Sequence, residues 1–138
     1  MRKVLVLVTL ILAMSVVLPV LATAQTVINP VTVQFTPSAD HAALAIDGNP
    51  MVAKYEMRIY TEANPTVVLT VTDIGKPTPV SNLITITNAV WFSALTPNTK
   101  YIARVAAVGP SGEGVSDPSN PFGNVGAPAK PTAVTVKK

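Results

Sequence analysis

The chain has 138 residues and no cysteine, and its ten Lys and Arg against seven Asp and Glu give a formal charge of +3. The lack of thiols excludes disulfide staples, thiolate metal centres and cysteine nucleophiles, so a folded domain here is held by apolar packing alone. Two of the basic residues are Arg2 and Lys3. The remainder is close to neutral and carries no electrostatic footprint for nucleic acid or an acidic membrane surface.

Arg2 and Lys3 precede an apolar run from Val4 to Leu21, relieved by Thr9, Ser15 and Pro19, and Ala22-Thr23-Ala24 follows. A basic start, an apolar centre and a small-residue exit make a secretory signal peptide. We expect residues 1–24 to form a helical signal peptide cleaved near Ala24, with a product that is secreted, extracellular or periplasmic. The run approaches the roughly 18 apolar residues that cross a bilayer, so an uncleaved leader would be the route to a membrane. Asn64 precedes Pro65, which leaves no Asn-x-Ser/Thr acceptor and fits a bacterial secreted protein.

Beyond the leader, Val31 to Thr36 alternate, with Val31, Val33 and Phe35 on one face and Thr32, Gln34 and Thr36 on the other. This pattern predicts a half-buried strand. Ser38 to Pro50 is rich in turn formers and predicts a loop. Ala53 to Tyr60 alternates again: Tyr55, Met57 and Ile59 are core candidates, and Lys54, Glu56 and Arg58 make a charged outer face. Thr66 to Thr72 is dense in β-branched residues and predicts the neighbouring strand. Asp73 to Asn82 predicts an extended loop. Leu83 to Thr87 predicts a strand that Asn88 to Trp91 continue or bulge. A Pro97-Asn98 turn then feeds a strand whose residues Tyr101, Ala103, Val105 and Ala107 share one face. Gly109-Pro110-Ser111-Gly112 turns the chain back into a last strand opening over Ser111 to Ser119, where Pro118 and Pro121 suit an edge. Thirteen prolines, with almost no helical periodicity outside the leader, point to all-β structure.

Leu95-Thr96-Pro97-Asn98-Thr99-Lys100-Tyr101 followed by Arg104-Val105-Ala106-Ala107-Val108 closely resembles the E–F corner and F strand of fibronectin type III domains. Phe35-Thr36-Pro37 resembles the end of that family's strand B, with Phe in place of the usual Trp, and Tyr55 matches strand C. The resemblance implies an antiparallel, immunoglobulin-like β-sandwich over residues 25–122. In it Tyr101 is the corner tyrosine that bonds back to upstream backbone, Leu95 the plug beneath it and Pro97 part of the same corner. The family's first strand has no clear counterpart, since only Gln25 to Pro30 precede strand B. Residues 123–138 form a tail in which 128–136, Pro128-Ala129-Lys130-Pro131-Thr132-Ala133-Val134-Thr135-Val136, resemble that missing strand. Three readings stay open: a linker, a strand folding back on its own edge, or a strand completing a neighbouring subunit through Val134 and Val136.

Chemistry-bearing residues are sparse. The single histidine, His41, lies beside Asp40 and near Ser38 on one loop, and three neighbours on a loop do not preorganise a triad. We expect Ser38 and Asp40 to be turn formers with a solvated His41, and no catalytic, cofactor or metal site. The glycine-rich turn after Val108 has no following Lys or helix and is not a phosphate cradle. Trp91 and Phe92, as adjacent strand residues, are expected on opposite faces. An exposed Trp91, with an outward Tyr60 nearby, would make a partner or sugar contact.

The expected function is a non-catalytic, secreted fibronectin type III-like module for protein interaction, adhesion or cell-surface structure, with a protein or a cell-surface polymer as partner. The alternatives are a self-assembling extracellular filament subunit donating its C-terminal strand, a homo-oligomer, and a carbohydrate-binding accessory protein.

Overall fold

The computed structural model describes residues 24–128 and 135–137 of the chain; the expected leader and residues 129–134 of the tail lie outside them. The described residues form two β-sheets and one helical turn. In chain order the elements are β1 (Val27–Ile28), β2 (Thr32–Phe35), β3 (Lys54–Thr61), β4 (Thr70–Gly75), β5 (Ile84–Thr87), α1 (Val90–Ser93), β6 (Tyr101–Gly109), β7 (Gly112–Val115) and β8 (Phe122–Gly123). The larger sheet runs β1-β8-β6-β3-β4, with β7 also on β6, and the smaller one is the pair β2-β5. None of the described helices is long and apolar enough to cross a membrane.

The β3–β6 ladder is the backbone of the larger sheet, antiparallel in unbroken register from Lys54↔Val108 to Thr61↔Tyr101. Period-two alternation on β3 puts Tyr55, Met57 and Ile59 on the inner face, where Met57 and Ile59 are fully buried. One core cluster joins Met57, Ile59, Phe92, Tyr101, Ala103 and Phe122 with Val33 of the smaller sheet packed against it. A second joins Val52, Tyr55 and Ile84, with Phe35, Val105 and Ala107 at its margin. Each fully buried aliphatic side chain contributes about 2 kcal/mol relative to exposure, and with no disulfide these clusters supply the cohesion.

Several expectations are corrected. The strand expected over Thr66 to Thr72 begins at Thr70 and extends to Gly75, where Asp73 Oδ1 accepts the Gly75 N–H at 2.7 Å and Gly75 takes a positive φ of 70°. Asn88 to Trp91 do not continue β5. Asn88 Oδ1 accepts the Val90 N–H at 3.1 Å, turning the chain into α1. The last strand is interrupted rather than continuous. After β7, Ser116 and Ser119 donate their backbone N–H groups to Val105 and Ala103 carbonyls, while their hydroxyls accept the Val105 and Ala103 N–H groups at 3.0 Å. Two serines thus keep the edge of β6 satisfied around Pro118, which has no N–H to give. Finally, a short first strand exists, but it is not where a partner for β2 would lie. β1 pairs parallel with β8, Val27↔Phe122 and Ile28↔Gly123, on the other sheet.

Candidate functional site

That placement of β1 leaves β2 bonded on one side only. Its partner is β5, antiparallel from Thr32↔Thr87 to Phe35↔Ile84, and no strand among the described residues pairs with its other edge. The Val31 carbonyl accepts the Asn88 N–H at 2.8 Å. Alternation along an antiparallel ladder then makes Val33↔Ile86 and Phe35↔Ile84 the hydrogen-bonded pairs. The backbone groups of Thr32 and Gln34 therefore point away from β5, into the open edge. Their side chains are tied across the exposed face, Thr32 Oγ1 to Thr87 Oγ1 at 3.1 Å and Gln34 Nε2 donating to Thr85 Oγ1 at 2.9 Å.

Beneath this edge the two sheets gape. At one end Phe35 and Thr36 face Val105, Ala107 and the β7 strand across a groove of about 540 Å³. At the other, Val33 faces Ala103, Phe122 and Val27 across a further space of about 120 Å³. The two spaces line up along β2. Val33 packs with Ala103, and Phe35 packs beside Val105 and Ala107, so β2 runs in the same sense as β6 across the interface. Phe35, Val52, Val105 and Ala107 give the larger groove an apolar part, Ser38, Asp40, Glu113 and Ser116 give it polar walls, and the β2 rim carries unpaired strand backbone. Unpaired strand backbone beside a groove is the kind of edge to which an extended segment can add.

The residues expected at the corner come together. Asn98 takes a positive φ of 59° after Pro97, and Tyr101 Oη donates to the Thr96 carbonyl at 3.3 Å. Tyr101 is buried in the first core cluster and Leu95 packs against it. The expected contact residues do not come together. Tyr60 is on the outer side of β3 but buried there: it is 6% exposed, beside its register partner Ile102 at 8%. The charged face of β3 stops at Arg58, and beyond it Tyr60 and Ile102 are both buried. Trp91 lies on α1 rather than on a strand and is partly buried against the core, while Phe92 is the core residue, edge-on to Phe122 at 5.5 Å. Val136 is 93% exposed, and Val134 lies outside the described residues.

His41 is half-buried rather than solvated. Its ring stacks on Tyr55 at 5.7 Å, with Nδ1 2.9 Å from Tyr55 Oη, and Ser38 N–H donates to the same oxygen at 3.1 Å. Burial pushes the Tyr55 phenol above its ordinary value, with the Ser38 N–H opposing weakly. The trio pins the loop after β2 to the start of β3. On the outer face, Arg58 reaches Glu113 on β7 with Nη1 donating to Oε1 at 2.8 Å, and Lys54 bridges Glu56 at 2.9 Å and Asp73 at 3.0 Å. Arg58 depresses the Glu113 carboxyl, and Lys54 then Arg58 depress that of Glu56. These charges tie β3, β4 and β7 together.

Sequence reasoning raised a missing first strand ahead of Val31 and a donated strand, but it did not name Thr32 and Gln34 as the residues whose backbone faces the open edge; that follows from the β2–β5 register. Compared with models of known protein families and with curated proteins, the chain matches none.

Proposed function

We propose that the protein is a secreted, non-catalytic, fibronectin type III-like module that binds other polypeptides by taking an extended strand along β2. The observation that carries this reading is the unpaired edge of Thr32 and Gln34 above a groove whose apolar part is Val33, Phe35, Val105 and Ala107. The Tyr101 to Thr96 corner bond supports the family resemblance, and the basic-apolar-small leader pattern supports secretion. Backbone pairing supplies affinity without sequence preference, and the groove selects alternate apolar side chains, the logic of strand addition.

A short peptide of alternating Val and Thr with lysines at its ends tests the reading. Titrated into the protein, it is expected to slow hydrogen exchange at Thr32 and Gln34, and Gln34→Pro is expected to abolish the effect. Proline at Gln34 removes an outward N–H and the exposed side-chain bond to Thr85 while leaving the backbone bonds to β5 in place. Binding that maps to the Ser111–Gly112 turn or the charged face of β3 instead would overturn it.

A further inference from the structure

We infer that the strand seated on β2 is residues 131–136 of a second copy of this chain. This deepens the proposal above and rests on it.

The C-terminal sequence has the required pattern. From Pro131 to Val136, four of six residues are β-branched; Thr132, Val134 and Val136 alternate with Ala133 and Thr135, giving a strand with one apolar face. Pro131 at its start costs no ladder bond.

The molecule's own tail leaves in the wrong place to fill its own groove antiparallel. Beyond β8, the Asn124 carbonyl accepts the Asn98 N–H at 2.8 Å, Asn124 Nδ2 donates to the Phe92 carbonyl at 2.6 Å, and Gly126 N–H donates to Asn98 Oδ1 at 3.2 Å. Gly126 lies so close to Pro97 and Asn98 that a Cβ there would touch both. The chain therefore exits over the turn that enters β6, at the level of the Val33 end of β2. The pairing inferred is antiparallel, the sense β2 already has with β5 and the slightly more stable one per residue, and a strand antiparallel to β2 must enter at the other end, beside Phe35 and Thr36. Reaching that point means travelling the length of β2, about 13 Å at 3.3 Å per residue, and then reversing. The four residues 127–130 span at most about 14 Å fully extended, which leaves no chain for the turn. The tail of a neighbouring copy approaches from outside and meets no such limit.

The contact is heterologous: one copy's tail fills the next copy's groove, while its own groove remains for a third. Repetition gives an open chain of subunits, or a ring where the rotation closes.

The test expresses the whole gene in an exporting bacterial host and uses the exported product. Light scattering after size exclusion is expected to show mass rising with concentration. Two variants are expected to stay monomeric: one ending at Pro128, which retains every described strand, and Gln34→Pro in the full chain, which weakens association about tenfold or more. A synthetic peptide of residues 127–138, added to the Pro128 form, is expected to protect the Thr32 and Gln34 amides. A full chain that stays monomeric at all concentrations overturns the inference, whether those amides are protected by its own tail or not at all. If the Val/Thr peptide binds at β2 and the 127–138 peptide does not, the inference fails and the proposed function stands. If neither binds there, both fail.

Discussion

The two sheets of this protein solve the same problem to different degrees. β3 in the larger sheet is bonded on both sides, to β4 and β6, and its inner residues Met57 and Ile59 are fully buried. β2 in the smaller sheet has one partner, and its inner residues Val33 and Phe35 are only half-buried. Both strands alternate equally well in sequence. The difference lies in what the rest of the chain supplies on their flanks. β1 is the first strand among the described residues, and it goes to β8. Stability is thus concentrated where ladders are complete, and the incomplete ladder is left to interact.

Substitutions measure that contrast. The largest effects belong to the closed sheet. Gly109→Ala sets a Cβ against the Met51 carbonyl, backbone against backbone, and is expected to cost at least about 3 kcal/mol in urea denaturation. Ile59→Ala empties a fully buried site and is expected to cost about 3 kcal/mol. Val33→Ala on the open strand removes two half-buried carbons, worth about 1 kcal/mol; equal losses at Ile59 and Val33 would erase the distinction between the sheets.

Tyr55→Phe probes the strap between them. It leaves the Ser38 N–H without its phenol partner and frees His41, for an expected loss of about 1 kcal/mol. Unchanged stability would mean that the loop after β2 is held by packing alone.

Arg58→Ala probes the outer face by its pH dependence. The Glu56 and Glu113 carboxyls are held below their ordinary value of 4.5, so their stabilisation is present above that value and is lost as pH falls through the lowered folded values. The variant is expected to melt lower than the parent at neutral pH and to lose less on acidification. A parallel fall in both melting curves would remove these pairs from the account. The smallest expected effect is that of Gln34→Pro on the isolated fold, within about 0.5 kcal/mol, because the N–H it deletes faces out of the ladder.

Much of this was readable from alternation. The inward set Tyr55, Met57 and Ile59, the charged set Lys54, Glu56 and Arg58, and the turn at Pro97-Asn98 were all legible because each depends on near neighbours. Tyr60 was not, since its burial is set by the assembled sheet, in which it lies beside Ile102, 42 positions away along the chain. Asn88 to Trp91 misled because an Asn side chain bonding two residues ahead redirects the backbone regardless of β-propensity. His41 misled for a related reason: its partner Tyr55 belongs to a different element. The open edge is a property of pairing, and no residue of β2 announces it.

The parallel pairing of β1 with β8 has a mechanical consequence. The chain enters at the start of β1 and leaves at the end of β8, so the two attachment points lie at opposite ends of one short ladder. Val27 N–H bonds the Pro121 carbonyl and Asn29 N–H bonds the Gly123 carbonyl, both at 2.9 Å. Tension between the termini pulls these strands past each other along their length. Both bonds then bear the load together, as a lap joint in shear, where an antiparallel terminal pair would peel open one bond at a time.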